Sequence, residues 1–316
     1  MFLIQTIIYL LSFIAIWLGA GLIVRSADRF SHKLRLSSFA VSFFILGMLT
    51  STPEFAVGIT SVAEGNPEVF VGNLIGGIPV IFLFIIPILA IFGNGVKLTH
   101  QLSKKNLLLT LGVILAPSLA VGDENVTLVE GIILILLYII LFYVIEREKG
   151  VFDTNHSNIL NIHSYSYKDI LKVLLGVAIV FVSSQFIVDK TLLFADILRI
   201  SPFYISLIIL SLGTNLPELS LAVRSVISGK KDVAFGDYLG SAAANTFLFG
   251  LFTVMSVGET FAVQSFFKTF IILLAGLSLF YFFSRSKNDI SRKEGIILLS
   301  VYIIFVIFEV FFATNL

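Results

Sequence analysis

The sequence contains no cysteine, so disulfides, thiolate metal sites and cysteine nucleophiles are excluded. Charge is also scarce: 13% of the 316 residues are charged and the net charge is +1, which gives no electrostatic basis for binding nucleic acid. The four histidines all fall between apolar runs, so zinc chemistry is not expected. Neither H-E-x-x-H nor G-x-S-x-G occurs, and the sequence therefore does not favour an enzyme.

Apolar residues are what the sequence has in excess, at 57% of the chain with a mean hydropathy of +1.02. This composition is typical of a polytopic membrane protein. The first run has no basic residue before it and is long for a signal sequence, so we expect it to be a true span. A transmembrane helix needs about 20 apolar residues, and ten runs are candidates, the fourth being the weakest: 2–24, 38–62, 69–93, 106–121, 127–145, 168–188, 201–227, 234–257, 265–284 and 295–313.

Basic residues alternate along the chain in step with these runs. Eighteen of the 21 Lys and Arg residues lie in or beside the segments that follow odd-numbered runs, and the exceptions are Lys190, Arg199 and Lys268. Because basic loops face the cytoplasm, we expect both termini to lie outside the cell and ten helices to cross the cell membrane.

The two halves of the sequence repeat one another. With a shift of 164 residues, residues 34–61 align with residues 198–225, and GNLIGG at 72–77 aligns with GDYLGS at 236–241. Each half has five spans, and because five is odd, the second half must enter from the opposite side of the membrane. We therefore predict an all-α membrane protein of two inverted five-helix repeats, residues 1–146 and 168–316, joined by a cytoplasmic linker at 147–167.

One motif, T-[SN]-x-P-E, occurs in the second span and again in the seventh, as GMLTSTPE at 47–54 and SLGTNLPE at 211–218. Glu54 and Glu218 therefore lie near the middle of their spans. A charged side chain at that depth costs about 2.5–3.5 kcal/mol on insertion scales. Two such residues related by the repeat predict an ion site, and the alternative is a protonated or hydrogen-bonded glutamate that only joins helices.

The proline in each motif affects the backbone. Pro53 and Pro217 have no N–H, so the carbonyls of Leu49 and Gly213 lose their helical partners. Unwound backbone in a membrane is tolerated where it is buried in protein or lines a polar cavity, although a simple proline kink is the alternative. Freed carbonyls beside a carboxylate suit a hard cation, and the motif supplies further oxygens from Thr50, Ser51, Thr214 and Asn215.

Glycine pairs in the third and eighth spans predict close helix packing, at Gly72 and Gly76 and again at Gly236 and Gly240. The second copy is the more polar, with Asp237, Ser241 and Asn245 where the first has Asn73, Gly77 and Ile81. Asp237 is either a third intramembrane carboxylate or an interfacial helix cap. Glu130 and Glu309 lie near span ends, and we expect both at the interface.

The candidate ligands are all oxygen atoms, which favours Na⁺, Ca²⁺, Mg²⁺ or protons over soft transition metals. Two carboxylates balance either one divalent ion or two monovalent charges. Such a site cannot be neutralised in both ways at once, so one ion must leave before the other binds. This is a physical basis for exchange.

At these motifs the chain resembles the Ca²⁺/cation antiporter superfamily, specifically the prokaryotic sodium/calcium exchanger family. GTNLPE and GDYLGS are close to its G-T-S-L-P-E and G-N-x-[IV]-G-S signatures, and TSTPE and GNLIGG match more loosely. The resemblance implies two symmetric five-helix halves with the cations held between spans 2, 3, 7 and 8. It also implies alternating access in a prokaryotic plasma membrane, with the first span of each half sliding past that core.

The resemblance further implies a ligand set of Glu54, Glu218, Gly47, Thr50, Ser51, Ser211, Thr214, Asn215 and Ser241. It implies Ca²⁺ and Na⁺ as transported ions, with no cofactor. The sequence departs from the family at Gly77, Thr52, Pro79 and Ile81, which reduces the central cluster to Glu54, Glu218 and Asn245. Ile81 has no ligand atom, and a carboxylate with fewer polar partners holds a proton more readily. Proton-coupled exchange and a non-transporting homologue are therefore the alternatives.

Overall fold

The computed structural model describes residues 2–31, 43–44, 47–97, 103–123, 125–147, 167–228, 232–256, 266–286 and 289–315. Over these residues the protein is helical apart from turns and one pair of two-residue strands, so the predicted all-α class is confirmed. Most of the predicted linker at 147–167, the beginning of the second apolar run and all four histidines lie outside the described residues.

Among the described residues, the first half has seven α-helices and a π-helical turn, besides π-helical backbone at 43–44. They are α1 (Phe2–Ser31), α2 (Gly47–Thr50), α3 (Thr52–Ala63), α4 (Glu68–Pro79), a π-helical turn (Val80–Ile85), α5 (Ile86–Phe92), α6 (Lys104–Ala120) and α7 (Leu128–Arg147). Helix α6 begins where the Ser103 side chain accepts a hydrogen bond from the Asn106 N–H at 3.2 Å, as expected for a serine N-cap.

Among its described residues the second half has seven α-helices and a π-helical turn that precedes the helix break. They are α8 (Tyr167–Leu198), α9 (Pro202–Ile205), a π-helical turn (Ser206–Leu210), α10 (Ser211–Thr214), α11 (Leu216–Ser228), α12 (Asp232–Met255), α13 (Phe266–Ser286) and α14 (Arg292–Asn315). Strand β1 (Val96–Lys97) pairs antiparallel with β2 (Asp289–Ile290), with Val96 opposite Ile290. This pair joins the segment after the third apolar run to the segment after the ninth.

Helical structure occurs within each of the ten apolar runs, but the helices differ in length. Among the described residues, seven helices are long and apolar enough to cross a membrane. An eighth is added if Pro202–Thr214 and Leu216–Val223, which meet at a bend of 42°, form one span. Helix α6, with 17 residues, is shorter than these, and the second run is only partly described.

Twin helix breaks separate α2 from α3 and α10 from α11. The single residue at each break has nearly the same backbone, with φ −75° and ψ 11° at Ser51 and φ −85° and ψ 16° at Asn215. Each motif proline then sits in the first turn of the next helix, where its missing N–H has no helical partner to lose. Glu54 and Glu218 fall in the same first turns, where the helix dipole favours a negative charge.

Glycines let the broken helices cross the unbroken ones at backbone contact. A Cβ at Gly76 would overlap the Leu207 carbonyl oxygen, and a Cβ at Gly240 would overlap the Phe43 carbonyl oxygen. The 164-residue shift maps Phe43 onto Leu207 and Gly76 onto Gly240, so the two crossings are the same contact made reciprocally. They bring the break between α2 and α3 against α12, and the break between α10 and α11 against α4.

The third apolar run departs from its counterpart. Between Pro79 and Pro87 the chain forms the π-helical turn, closed by the Ile86 N–H bonding to the Ile81 carbonyl. The equivalent residues 244–249 lie inside the regular helix α12. Neither proline can donate a backbone hydrogen bond to the helix, which allows this wider turn. Ile81, within the turn, is buried in the apolar core.

Helices α1 and α8 pack along each other beside this central group. Close approach occurs at Gly19 and Gly176, where a Cβ on either would lie 3.0 Å or 2.7 Å from the other's carbonyl oxygen. The Thr60 and Ser184 hydroxyls are 2.8 Å apart, which links α8 to α3.

Candidate cation site

Two carboxylates lie at the centre of the molecule, one from each half. Glu54 and Glu218 are both 0% exposed and interact electrostatically with each other. Both oxygens of Glu54 and the Oε2 of Glu218 have no hydrogen-bond partner. Buried carboxylate oxygens without partners are costly, and a cation or a proton is the partner that removes this cost.

Hydroxyl groups connect Glu218 to the first half. Ser241 donates to Glu218 Oε1 at 2.7 Å, and the Ser241 and Ser51 hydroxyls lie 3.1 Å apart. Thr50, one residue before the break, donates to Asp237 Oδ1 at 3.3 Å. One face of α12 is therefore tied to the break between α2 and α3 by two of these polar contacts, and to α11 by the third.

The equivalent threonine of the second half makes the reciprocal contact. Thr214 donates to Asn73 Oδ1 at 3.0 Å, and the 164-residue shift maps this pair onto Thr50 and Asp237. Thr214 also lies beside Glu54, as Thr50 lies beside Glu218. Each threonine therefore lies beside the glutamate of the opposite half and donates to a second polar residue of that same opposite half.

Two carbonyl groups lie one turn before the breaks, at the first residues of α2 and α10. The Gly47 carbonyl accepts from the N–H of Ser51 at 3.1 Å and from its hydroxyl at 2.9 Å. The Ser211 carbonyl accepts from the N–H of Asn215 at 3.2 Å and from its Nδ2 at 2.8 Å. Each carbonyl therefore binds both the backbone and the side chain of the residue at its break.

The carbonyls that the prolines free differ between the halves. We expected Leu49 and Gly213 to be equivalent, but the Leu49 carbonyl accepts from the Thr52 hydroxyl at 2.6 Å. The corresponding residue in the second half is Leu216, which has no donor. The departure from the family at Thr52 therefore supplies the hydrogen bond that Pro53 removes.

Two asparagine side chains fill the space at Gly77. A Cβ there would lie 2.9 Å from Asn245 Nδ2 and 3.5 Å from Asn215 Nδ2. Both polar side-chain atoms of Asn245 and the Oδ1 of Asn215 lack hydrogen-bond partners although they are buried. The amide groups of Asn215 and Asn245 thus occupy the space that a serine side chain would fill at position 77 in the family pattern.

All eleven candidate site residues are buried: Gly47, Thr50, Ser51, Glu54, Ser211, Thr214, Asn215, Glu218, Asp237, Ser241 and Asn245. Asp237 is 0% exposed and interacts electrostatically with Glu218, so it is a buried third carboxylate and not an exposed helix cap. Among the described residues, no three acidic or histidine side chains are arranged to hold one metal ion. A cation here must therefore use hydroxyl, carbonyl and amide oxygens as well.

Tyr238 belongs to this region and was missed from the sequence. Its hydroxyl is buried without a partner and interacts electrostatically with Asp237 and Glu218. Asn73, the acceptor from Thr214, was noted only as a repeat match. The signal for Tyr238 is its place directly after Asp237, where the first half has the apolar Leu74.

The two glutamates expected at the interface have different environments. Glu130 is partly exposed at the start of α7, where it accepts at 2.7 Å from both the N–H and the hydroxyl of Thr127, a capping box. Glu309 is 1% exposed and accepts at 2.7 Å from Thr269, and its place at the interface stays a prediction. It is buried because α13 packs against α14 and offers a hydroxyl to a side chain that would otherwise seek water.

Fold and site together define an all-helical membrane protein with paired buried carboxylates at twin helix breaks. A profile of the family described as sodium/calcium exchanger protein matches residues 4–145 and 168–311. The chain therefore belongs to the sodium/calcium exchanger family, which makes it a cation antiporter by family and not an enzyme.

Relatives align over nearly the whole chain. The putative antiporter CaxA of Alkalimonas amylolytica is 26% identical and covers 93% of this chain and 97% of its own. The sodium/calcium exchanger MaX1 of Methanosarcina acetivorans is 25% identical and covers 95% and 97%. A solved structure of the sodium-calcium exchanger NCX_Mj, soaked with Na⁺ and Sr²⁺, is similar with a TM-score of 0.68 at 22% identity, covering 97% and 99%. This structural similarity demonstrates a shared fold.

Proposed function

We propose that the protein is a secondary active antiporter that moves Ca²⁺ out of the cell in exchange for Na⁺ by alternating access. The observation that carries this proposal is the pair of buried carboxylates, in which both oxygens of Glu54 and the Oε2 of Glu218 have no hydrogen-bond partner. One Ca²⁺ or two Na⁺ neutralise the pair. Once either set of ions is bound, no negative charge remains to bind the other. A relative named as a sodium/calcium exchanger supports the same ion pair.

The proposed ligands come from both helix breaks and from α12. The carboxylates are joined by hydroxyl, carbonyl and amide oxygens, which are the ligands that Ca²⁺ and Na⁺ accept. The site cannot hold both ion types, and an empty site with paired charges is costly in a low dielectric. These two properties couple the movement of one ion to that of the other. The proposed ligands are Gly47, Thr50, Ser51, Glu54, Ser211, Thr214, Asn215, Glu218, Asp237, Ser241 and Asn245.

The proposed topology has ten spans in two inverted repeats, with both termini outside the cell membrane and a cytoplasmic linker at 147–167. Reciprocal contacts between the halves support a two-fold relation, as when Thr50 contacts Asp237 and Thr214 contacts Asn73. Contacts between loops support the alternation. Strands β1 and β2 join two loops on the predicted cytoplasmic face, and Ser201 donates to Glu68 at 2.6 Å on the opposite face.

A second candidate within the same class is exchange of a cation for protons. The observation that favours it is Glu54, whose oxygens have no hydrogen-bond partner, together with Ile81, which contributes no ligand atom to the centre. A proton needs no coordination shell, so it can neutralise a carboxylate where the ligands for a further Na⁺ are lacking.

Flux into vesicles tests the proposal. The purified protein is reconstituted with Na⁺ inside, and uptake of ⁴⁵Ca²⁺ is measured with an outward Na⁺ gradient, with a pH gradient alone and with neither. We expect Na⁺-driven uptake that falls at least about tenfold in Glu54→Gln and in Glu218→Gln, because each removes one of the paired charges. Glu309→Gln is the matched control, a buried glutamate outside the site, and should retain uptake.

The outcomes separate the candidates. Uptake driven by pH alone and lost in Glu54→Gln would favour proton exchange over Na⁺ exchange. Absence of uptake under either gradient, with no rise in thermal stability when Na⁺ or Ca²⁺ is added, would identify a non-transporting homologue, since a ligand of the folded state must stabilise it.

A further inference from the structure

Helices α1 and α8 form a pair that, among the described residues, one side-chain hydrogen bond joins to the central helices. Within the pair, the buried Tyr9 and Thr191 hydroxyls are 2.8 Å apart. Between the pair and the centre, the hydroxyls of Thr60 on α3 and Ser184 on α8 are 2.8 Å apart. Around this bond lies an apolar cluster distinct from the larger core, to which α3 contributes Val57. Because apolar contact is non-directional, the hydrogen bond is the contact that fixes α8 relative to α3.

The direction of this hydrogen bond follows from the bonds around it. Ser184 donates its one hydroxyl proton to the Phe181 carbonyl at 2.8 Å, so Thr60 is the donor to Ser184. If α8 moves away, a helical threonine can donate to a carbonyl one turn earlier in its own helix. Thr60 can therefore release Ser184 without leaving its hydroxyl proton unpaired, as a contact that opens and closes requires.

The hydroxyl pair occurs in one half of the repeat only. The 164-residue shift maps Thr60 onto Arg224 and Ser184 onto Ala20, which has no hydroxyl. In an inverted repeat the two halves exchange conformations when access alternates. A bond present in one half only therefore stabilises one of the two access states over the other.

We propose that this contact is part of a latch that protons at the outer face close. The outer latch consists of Thr60, Ser184, Glu64 and Asp189. Thr60 holds Ser184, and the two acids repel each other across the same pair of helices unless a proton neutralises one of them. The inference rests on the proposed function, because the latch controls a movement of α8 against α3 within alternating access.

The two acids lie about one helical turn beyond the hydroxyls. Glu64 is the C-cap of α3, four residues after Thr60, and Asp189 follows Ser184 by five residues on α8. Partial burial, and after it the charge of Asp189, raise the pKa of Glu64 above its ordinary value. The contact as it stands therefore favours protonated Glu64. The stabilisation from that proton is present at low pH and is lost as the pH rises through the raised pKa.

Other charges near this end of α3 do not cancel the repulsion. Lys190 follows Asp189 on α8, yet the charge that acts on Glu64 is that of Asp189. Glu68 begins α4, where its carboxylate accepts from Ser201 at 2.6 Å. The described parts of α1 and α12 present no charged side chain at this end. A proton on Glu64 is therefore the change that removes the repulsion.

Transport by oriented vesicles tests the effect of protons. Right-side-out membrane vesicles that contain the protein are loaded with Na⁺, and ⁴⁵Ca²⁺ uptake is measured at outside pH from about 5 to about 8, where a carboxyl group with a raised pKa titrates. We expect wild-type uptake to be slower at the acidic end. For Glu64→Gln, which is neutral like the protonated acid, we expect uptake at the alkaline end to be at least about twofold slower than in the wild type, with a flatter pH profile. Asp123→Asn is the matched control, an exposed outer acid that should keep the wild-type profile.

Loss of the hydroxyl should have the opposite effect. Thr60→Val removes the donor to Ser184 and keeps the side-chain volume. We expect uptake at the acidic end to rise by about twofold to tenfold, the factor that one hydrogen bond contributes. A variant that merely folded poorly would lower uptake, so a rise identifies release of the latch.

A reversible cross-link tests whether the contact must open. The natural chain has no cysteine, so Thr60→Cys combined with Ser184→Cys places two thiols where the hydroxyls now meet. We expect oxidation by copper phenanthroline to reduce uptake at least about tenfold, because a disulfide holds the latch closed, and dithiothreitol to restore it. Each single variant should be unaffected by the same treatment.

Two results would overturn the latch. One is a Glu64→Gln protein with the rate and the pH profile of the wild type. The other is a fully cross-linked protein that transports as fast as its reduced form, which would show that α8 does not leave α3. If the two cysteines do not form a disulfide, unchanged uptake in Thr60→Val overturns the latch independently. A wild type without Na⁺-driven uptake contradicts the proposed function itself, whereas Na⁺-driven uptake that ignores all these changes contradicts this inference alone.

Discussion

At the scale of single residues, some repeat-related positions of the site hold the same residue in both halves and others hold different residues. The glutamates, prolines and threonines of the two motifs take equivalent positions and make reciprocal contacts. Elsewhere the two helix crossings differ: one pairs the hydroxyls of Ser51 and Ser241, and the equivalent crossing has Asn215 beside Gly77. A longer side chain on one helix thus fills the space that glycine leaves on the other.

The hydroxyl of Thr52 gives a test at this scale. Thr52→Val removes the donor to the Leu49 carbonyl while keeping the side-chain volume, and we expect a loss of about 0.5–1.5 kcal/mol in unfolding free energy. Thermal unfolding in detergent without added cations measures it. Thr6→Val is the control, because its bond to the Phe2 carbonyl is exposed and water can replace it. Equal stability of the two variants would mean that the Leu49 carbonyl is satisfied in another way.

At the scale of elements, the important feature is a broken helix laid across an unbroken one. Proline ends the first half-helix, and the following helix begins with the glutamate in its first turn. Glycine on the partner helix then admits backbone-to-backbone contact, which brings the break within reach of polar side chains. The site is therefore a product of the crossing and not of either helix alone.

Substitution of the crossing glycines tests this. Gly240→Ala places a methyl group against the Phe43 carbonyl, and Gly76→Ala places one against the Leu207 carbonyl. Each should destabilise the protein by about 1–3 kcal/mol and reduce cation binding, because a backbone must move. Gly112→Ala is the control, since its Cβ would meet nothing within 4 Å. Retention of full stability and binding in Gly240→Ala would show that the crossing is not tightly fitted.

At the scale of the whole molecule, the proposed topology has two halves that enter the membrane from opposite sides. With five spans in each half, as proposed, the repeats are inverted, so one site can open to either side by equivalent motions. The loop contacts agree with this arrangement, since the loops after the third and ninth runs pair through β1 and β2.

Single cysteines test the topology directly, because the natural chain has none. We expect a membrane-impermeant maleimide added to intact cells to label Glu64→Cys and Asp123→Cys, and not Lys104→Cys or Arg292→Cys; all four positions are exposed. Lysed cells, in which all four should react, provide the control. Labelling of Lys104→Cys from outside would invert or disrupt the proposed alternation of spans.

Much of the fold was accessible from the sequence because its signals are local. Apolar runs, the T-[SN]-x-P-E motifs and the glycine pairs correctly indicated helices, twin breaks and close packing. The family and the all-α class are confirmed, whereas the ion ligands, the ten-span count and the inversion stay predictions. The burial of Glu309 had no local signal, since it depends on a hydroxyl from α13 that lies 40 residues away in the chain.

The sequence by itself determined where the chain is apolar, where its helices break and which residues the repeat makes equivalent, because these depend on neighbours along the chain. Only the tertiary structure decided how the halves pair: that Thr50 contacts Asp237, that Asn245 fills the space at Gly77, and that Tyr238 reaches the carboxylates. These contacts depend on the crossing of helices distant in sequence, whose close approach is set by packing in three dimensions.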